Sequence, residues 1–342
     1  MNRTEFYQEE FCAKSSNSSC FQREPTTAVE VLMYSGAAAV VLLTVCGNLL
    51  VIISICHFKQ LHTPTNLLLL SLAVADLLVG ITVMPFHFIY AIQSRWCFGT
   101  VYCIFYNVAS FSLAGVSIYN VAFIAVDRYV AVCNPFFYSR NITVNVTLRV
   151  ISFLWCYSLI YSIIIPYFNG NITNMTENAT CSEQCSAILS EISYMYSYLI
   201  FDFIIVFIVP CMTMVIMYLK MFAIAKKHAN TIRCVREQHH SKDTSKMNYS
   251  AASERKAAKK LGILVSAFLL CSVPYFITAF LELYVDKPSV YLAVVHMLGL
   301  LYVNSSINPI LYALLYLWFQ KCVKLIVTLK ICSSESSLIS VL

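Results

Sequence analysis

The sequence predicts an all-α membrane protein, a seven-transmembrane helix bundle followed by a short amphipathic eighth helix. Of its 342 residues, 59% are hydrophobic and only 12% are charged, whereas a soluble domain has roughly 25% charged residues. A water-soluble fold of this composition would expose too much apolar surface. The lipid bilayer must therefore be part of its solvent.

Seven apolar runs are each near or above the roughly 20 residues that a helix needs to cross a hydrocarbon core of about 30 Å. They cover residues 28–56, 65–92, 100–133, 148–167, 192–222, 257–284 and 289–317. Because lipid cannot satisfy backbone polar groups, each run is predicted to be a helix, and they are called spans 1 to 7. The predicted domains are an extracellular N-terminus at 1–27, the seven-span domain at 28–317 and a cytoplasmic amphipathic helix and tail at 318–342.

The basic residues set the orientation of the spans. Lys59, Arg140 and Arg149 flank one side, a dense basic run lies at 220–260, and Lys321, Lys324 and Lys330 follow the last span. The positive-inside rule makes these loops cytoplasmic and places the N-terminus outside. We therefore expect a multi-pass plasma-membrane protein. Its net charge of +6 follows from this inner face and does not indicate nucleic acid.

The outer face carries more acidic than basic residues, which predicts an acidic mouth that concentrates cations; the alternative is an ordinary solvated surface. Outer placement also predicts glycosylation at five sequons, whose acceptors are Asn2, Asn17, Asn171, Asn174 and Asn178.

Two segments outside the spans have distinct patterns. Residues 228–255 are hydrophilic and predict a partly ordered cytoplasmic loop. Trp318, Phe319, Leu325 and Ile326 alternate with Lys321 and Lys324, which predicts a helix lying on the inner membrane surface.

The 15 cysteines do not indicate a metal site, because neither paired CxxC motifs nor a spaced histidine cluster accompanies them. Several lie in apolar runs, where a buried thiol is expected. Six lie on the oxidising side, where disulfides persist: Cys12, Cys20, Cys97, Cys103, Cys181 and Cys185.

Away from the outer ends of the spans there are three acids, and an ionisable side chain inside a span costs about 2.5 to 3.5 kcal/mol and usually marks function. Asp76, in the middle of span 2, needs partners from other helices, and Asn48 in span 1 and polar residues of span 7 are the candidates. Asp127 adjoins Arg128 at the inner end of span 3. Asp202 lies in the outer half of span 5, where it needs either a cation or a proton shared with a neighbouring helix.

Several motifs together carry a resemblance to a known family. Cys103 opens span 3 and Asp127-Arg128-Tyr129 close it, while NSSINPILYALLYLWFQK occupies 304–321. With FCAKSSNSSC near the N-terminus and CSEQC before span 5, the chain resembles rhodopsin-like G-protein-coupled receptors and, within them, the trace amine-associated receptors. The resemblance implies a receptor, not an enzyme, that senses a cationic amine, serves mainly in olfaction and acts through a heterotrimeric G protein that stimulates cyclic AMP formation.

The resemblance also implies roles for particular residues. An allosteric sodium ion would lie among Asp76, Ser117, Asn304, Ser305 and Asn308. The G-protein switch would comprise Asp127, Arg128, Tyr129, Tyr218, Glu254 and Tyr312, with Arg128 paired to Glu254 at rest. Disulfides would join Cys103 to Cys185 and Cys20 to Cys181, with Cys12 and Cys97 left unassigned. Apart from that sodium ion, no cofactor is expected.

Two residues depart from the family pattern, one at the amine-binding position and one at the activation switch. Ser110 stands where amine receptors carry an aspartate, and Ser272 stands where a tryptophan usually acts as the activation switch. Some trace amine-associated receptors resemble this chain in placing the amine-binding acid on the fifth helix, at Asp202. The expected ligand site combines Asp202 and Ser110 with the aromatic residues Phe111, Tyr275, Phe276 and Tyr302. The alternatives are a receptor for a non-amine ligand and, from another class, a channel or transporter.

Overall fold

The structure is a computed structural model, and it describes residues 27–168, 203–238, 244–282, 284, 285, 287–332, 340 and 341, for some of them only the backbone. All regular elements within these ranges are helices, and none of the residues there forms a strand. Seven of the helices are long and apolar enough to cross a membrane. The predicted fold class is confirmed.

The spans follow one another in chain order with short connections. Their bounds are Thr27–His57 for span 1, Pro64–Gln93 for span 2, Gly99–Cys133 for span 3, Val144–Phe168 for span 4, Phe203–Ile208 with Val209–Gln238 for span 5, Thr244–Glu282 for span 6 and Pro288–Leu315 for span 7. A short helix, Pro135–Asn141, joins spans 3 and 4, and an amphipathic helix, Leu317–Val327, follows span 7.

The amphipathic helix is confirmed, but the predicted boundary at residue 317 is wrong by two residues. Span 7 ends at Leu315, and Tyr316 adopts an extended conformation with φ −117° and ψ 110°. The apolar run continues to Leu317 because the next helix itself has an apolar face, so hydropathy alone could not locate the break. Phe319 and Cys322 on that face are buried, while Lys321 is exposed.

The prediction of a partly ordered loop at 228–255 is also wrong over most of its length. Span 5 continues as a helix to Gln238 and span 6 begins at Thr244, although the parts apolar enough to cross the membrane end at Ile224 and begin at Gly262. The segment contains neither proline nor glycine, the two residues least favourable in a helix interior. Its polarity excludes it from the bilayer but does not prevent helix formation.

Two of the spans contain a π-helical segment. Phe203–Ile208 precedes Pro210 in span 5, and Val79–Val83 precedes Pro85 in span 2. Proline lacks an N–H and its ring clashes with the carbonyl four residues earlier, so a widened turn accommodates it. The Tyr119 hydroxyl donates to the carbonyl of Ile205 at 3.3 Å, which ties span 3 to the widened turn of span 5.

Span 3 occupies the centre of the bundle. It packs against spans 2, 4, 5 and 6, while span 7 closes the ring by packing against span 1. In the most apolar 18-residue stretch of each span, 67% of the residues are buried in span 3 but only 22% in spans 4 and 5. Side chains of span 3 therefore reach every level of the bundle interior.

Spans 1 and 7 approach closely at Gly47. A Cβ atom added there would lie 2.8 Å from Cβ of Pro309, closer than real Cβ atoms come to other heavy atoms. Gly36 on the same helix has open space around it. A glycine is therefore required at position 47 by packing, but not at position 36.

We expect Gly47→Ala to lower the thermal unfolding temperature of the purified protein in detergent, because overpacking a tight contact costs about 1–3 kcal/mol. Gly36→Ala is the matched control. It gains up to about 1 kcal/mol of helix propensity at no steric cost, so it should unfold at the same or a higher temperature than the unmodified chain. Equal unfolding temperatures for the two variants would show that spans 1 and 7 are not in this close contact.

Candidate functional site

Asp76 is the centre of a buried hydrogen-bond cluster in the middle of the bundle. Its side chain is 0% exposed. Oδ1 accepts hydrogen bonds from the hydroxyls of Ser117 at 3.2 Å and Ser305 at 2.8 Å, and Oδ2 accepts one from Nδ2 of Asn308 at 2.7 Å. One carboxylate thereby joins spans 2, 3 and 7.

Asn48 connects span 1 to this cluster without touching Asp76. Its Nδ2 donates to the carbonyl oxygens of Thr44 at 2.9 Å and Ser305 at 3.0 Å. Asn304 is buried too, and with Ser117 and Ser305 it lines an adjoining cavity of about 20 Å³. The structure thus brings all five predicted sodium-site residues to one place.

The chemistry of this cluster fits a sodium ion. Carboxylate, hydroxyl and amide oxygens are hard ligands suited to hard cations, and a cavity of this size has room for about one water molecule. Within the described residues, no group of three or more His, Cys, Asp and Glu side chains comes together. Asp76, Ser117, Asn304 and Ser305 are the residues that would hold sodium.

A second polar cluster forms at the inner end of span 3. Arg128 folds back onto its neighbour Asp127, donating to Oδ2 from Nε at 2.9 Å and from Nη2 at 2.6 Å. The Thr65 hydroxyl of span 2 donates to the same oxygen at 2.7 Å and also contacts Nη2 of Arg128. Asp127 is buried while Arg128 is partly exposed, so the pair presents its cation towards the cytoplasmic end.

Tyr138, from the short helix between spans 3 and 4, completes this cluster. Its hydroxyl donates to Oδ1 of Asp127 at 3.0 Å. Burial raises the pKa of the Tyr138 phenol above its usual value, so the group keeps the proton that it donates. The linker helix is thereby fixed to the inner end of span 3.

The structure describes the surroundings of some of the other predicted switch residues. The Lys220 ammonium lies 6.0 Å from the ring centre of Tyr129, and Tyr312 is almost fully buried with its ring edge-on to Phe319. Glu254 belongs to span 6, but its side chain lies outside the described residues. Its pairing with Arg128 therefore stays a prediction.

Tyr218 of span 5 packs directly against the backbone of span 6. A Cβ atom added to Gly262 would lie 2.7 Å from the Tyr218 hydroxyl oxygen and equally close to its ring. Glycine in the interior of a helix lowers its stability by about 1 kcal/mol relative to alanine. The close contact with Tyr218 is the physical reason for a glycine at position 262. Gly262 was not identified from the sequence, because a single glycine in a helix does not reveal what it faces.

The outer half of the bundle contains most of the predicted ligand residues. Phe276 of span 6 stacks on Phe207 of span 5 with ring centres 3.9 Å apart, and Tyr275 meets it edge-on at 5.1 Å. Ser110 is 6% exposed and Tyr302 is 2% exposed, whereas Phe111 is 49% exposed. Asp202 lies outside the described residues.

Ser272 is fully buried in span 6. Its hydroxyl donates to the carbonyl of Phe268, one turn earlier, at 2.6 Å. The side chain is therefore held to its own helix and does not reach across the bundle as a tryptophan would. The Phe207–Phe276 stack supplies the large aromatic contact between spans 5 and 6 near this level.

Sequence reasoning missed two polar contacts between spans, one in the outer half and one between spans 2 and 4. His87 of span 2 is 1% exposed, and its Nδ1 lies 2.8 Å from the Tyr106 hydroxyl of span 3. The rule that singled out the three acids applies equally to a histidine inside a span, so this residue could have been found. The bond from Nε1 of Trp155 to the Ser71 hydroxyl, 3.0 Å long, gave no such signal because both residue types are common in spans.

Cys97 and Cys103 are both disulfide-bonded. Cys185, the predicted partner of Cys103, lies outside the described residues, as do Cys20 and Cys181, which were predicted to pair with each other, Cys12 and the five glycosylation sequons. The pairings and the glycosylation stay predictions. Six cysteines elsewhere in the described ranges are free thiols: Cys46, Cys56, Cys156, Cys211, Cys271 and Cys322.

Comparison with known proteins agrees with this arrangement. Residues 47–312 match the family model described as "7 transmembrane receptor (rhodopsin family)". The chain is 37% identical to trace amine-associated receptor 13c of Danio rerio over 98% of its own length and 97% of that protein. It is also 37% identical to trace amine-associated receptor 7c of Rattus norvegicus, over 97% and 92% of the two chains, and 38% identical to receptor 7a of Mus musculus, over 96% and 91%.

The contact between Tyr218 and Gly262 predicts how span 6 responds to added volume. We expect Gly262→Ala to move the inner end of span 6 away from span 5, because the new methyl group would overlap the Tyr218 ring. Distances between paired spin labels, attached through non-cysteine chemistry at the inner ends of the two spans, measure this. The double variant Gly262→Ala with Tyr218→Ala should recover the original distance; an unchanged distance in Gly262→Ala alone would contradict the contact.

Proposed function

The chain belongs to the trace amine-associated receptors of the rhodopsin family, and on this premise we propose that it detects a cationic amine through Asp202. A receptor of this class is a multi-pass membrane protein and not an enzyme, and it binds small-molecule ligands and couples to heterotrimeric G proteins. The proposal further places it in the plasma membrane with its N-terminus outside, gives it a G protein that stimulates cyclic AMP formation and assigns it to olfaction.

The proposal rests on which partners the acids within the spans have. Asp76 accepts three hydrogen bonds from spans 3 and 7, and Asp127 is paired with Arg128. Both carboxylates are thus engaged by the chain itself, and both lie below the outer half. Of the three acids within the spans, Asp202 is the one that the sequence places at the depth of an extracellular ligand.

The surroundings of Asp202 in the chain support a cation site. It directly precedes Phe203, whose ring centre lies 6.0 Å from that of Phe276 and 5.7 Å from that of Phe280. Ring faces attract ammonium groups. An amine held by Asp202 would therefore have aromatic neighbours from spans 5 and 6.

Ser110 of span 3 supports the assignment of Asp202 as the amine anchor. Its hydroxyl can form a hydrogen bond but cannot neutralise an ammonium, and a buried unpaired charge is strongly unfavourable. The ligand's ammonium should therefore point towards span 5 and its remaining atoms towards span 3. This orientation is the reverse of one anchored on span 3.

The proposal also places a sodium ion at the Asp76 cluster, supported by its oxygen ligands and the adjoining cavity. Sodium there would add a positive charge that stabilises the ionised carboxylate. Replacing sodium with potassium during an amine titration on isolated membranes tests this, since an unchanged half-maximal concentration would count against the ion.

A second candidate is a receptor for a neutral ligand. The observation that favours it is the buried, uncharged environment of Ser110 and Tyr302, which would suit a polar molecule without a charge. A neutral ligand would not supply the cation that an ionised carboxylate at Asp202 needs, so we rank it second.

We predict that Asp202→Asn, which is nearly isosteric, raises the half-maximal amine concentration at least about tenfold, the equivalent of about 1.4 kcal/mol. The reason is the loss of a charge-assisted hydrogen bond, worth about 1.5–3 kcal/mol. The readout is cyclic AMP in cells with matched surface expression. Asp286→Asn removes an acid outside the spans and is the control for general surface charge.

Ser110→Asp in the Asp202→Asn background extends this test. It should restore the amine response with the ligand reversed, because it returns a carboxylate to the pocket from span 3. An Asp202→Asn receptor that responds at the original amine concentration would refute the anchor and favour the neutral ligand.

A further inference from the structure

The inner end of span 6 meets an aromatic ring that lies just beyond the end of span 7. The Lys260 ammonium lies 4.7 Å from the centre of the Tyr316 ring. Tyr316 is the residue of extended conformation between span 7 and the amphipathic helix. A cation within about 6 Å of a ring centre is attracted by the negative face of the ring. The contact therefore joins the inner ends of spans 6 and 7.

Ring packing and backbone hydrogen bonds fix Tyr316 in place. Its ring stands edge-on to that of Tyr312 with centres 5.9 Å apart, and edge-on to Trp318 at 6.1 Å. Its backbone N–H donates to the carbonyl of Tyr312 at 3.0 Å, and its carbonyl accepts from the N–H of Phe319 at 3.1 Å. Span 7 and the amphipathic helix thus present this ring to Lys260 as a fixed surface.

Lys260 is the member of a lysine pair that faces the bundle. Lys259 is exposed, whereas Lys260 is partly buried. Successive residues of an α-helix point about 100° apart, so only one of the two faces Tyr316. Two positions further along, Gly262 lies against the Tyr218 ring of span 5. The inner end of span 6 thus lies between a tyrosine of span 5 and the tyrosine that follows span 7.

The Tyr316 ring also lies near the polar cluster at the inner end of span 3. Arg128 is within electrostatic reach of the Tyr316 phenol. Its guanidinium is bound to Asp127 of its own span and contacts Thr65 of span 2. Tyr316 therefore lies where the inner ends of spans 3, 6 and 7 come together.

The contact depends on the position of span 6. Switching proteins commonly move whole helices or domains as rigid bodies, and an ammonium carried away from the ring face loses its attraction to the ring. A contact present in only one of two arrangements shifts the equilibrium towards that arrangement. A G protein approaches from the cytoplasm, so a contact that closes the inner ends of the spans around Arg128 opposes its binding.

We propose that the Lys260–Tyr316 contact restrains the inner end of span 6 in the resting receptor, and that the receptor signals when span 6 leaves Tyr316. This inference concerns activation and does not depend on the ligand or on Asp202. It is also separate from the predicted pair of Arg128 and Glu254. Lys260 lies six residues beyond Glu254, about 9 Å further along span 6.

The first test measures ligand-free nucleotide exchange on a panel of purified heterotrimeric G proteins, in membranes containing equal amounts of each receptor variant. Lys260→Gln removes the charge but keeps most of the side chain, and Tyr316→Leu removes the ring. We expect each to raise ligand-free exchange at least about threefold, because one cation–ring contact of the resting state is lost. Lys260→Arg and Tyr316→Phe keep a cation and a ring face, so they should resemble the unmodified chain.

Lys259→Gln is the matched control, because it removes the same charge from the exposed neighbour. It should leave ligand-free exchange unchanged. The double variant Lys260→Gln with Tyr316→Leu should match the larger single effect, because changes to two residues in direct contact do not add. Fully additive effects would show that the two side chains act separately and would overturn the proposal.

Distances between paired spin labels on span 6 and the amphipathic helix test the contact without any ligand or G protein. The labels are attached through non-cysteine chemistry to the purified receptor. Lys260→Gln should increase the population of long distances, and Lys260→Arg should not. Unchanged distances in Lys260→Gln, exchange that does not rise, or an equal rise in Lys259→Gln would each overturn the restraint. Failure of amines to activate the receptor would overturn the proposed function and leave this inference standing.

Discussion

The structure depends on how a carboxylate is kept inside a hydrocarbon environment. Asp76 is completely buried and accepts hydrogen bonds from Ser117, Ser305 and Asn308. Removing water from an ionised group is costly unless other donors replace it, so spans 3 and 7 must present those donors at the depth of Asp76. The close contact of Gly47 with Pro309 and the bond from Asn48 to the Ser305 carbonyl bring span 1 into the same arrangement.

Span 3 extends this constraint to both faces of the membrane. Ser110 of span 3 lies in the outer half, Ser117 lies at Asp76 and Arg128 lies at the inner end. The separation of 18 positions between Ser110 and Arg128 corresponds to about 27 Å of helix. A ligand that contacts Ser110 and Tyr302 would touch the same two helices that hold Asp76. A ligand can shift a conformational equilibrium only by as much as it binds the two states differently, and these shared helices are where such a difference would arise.

Much of the fold could be predicted from the sequence. Hydropathy and positive charge act over many residues, and burying an acid has a high energetic cost. The seven spans and the span 7 partners of Asp76 were predicted for this reason, whereas Ser117 was implied by the family resemblance and Asn48, a candidate partner, donates to the Ser305 carbonyl instead. The helical extension to Gln238, the break at Tyr316 and the π-helical segment at Val79–Val83 were not, because each depends on local backbone preferences that hydropathy does not record. Gly262 and the His87–Tyr106 contact depend on which side chain faces which helix, and that is known only once the bundle is assembled.

The central functional claim is that the ligand is recognised by its positive charge. The most direct test compares the binding of an activating amine to the purified receptor with that of its isostere in which a methyl group replaces the ammonium. We predict that the neutral analogue binds at least about tenfold more weakly, since it cannot pair with the carboxylate. Equal affinity for the charged and neutral molecules would contradict the account and identify a receptor that detects the body of its ligand and not the charge.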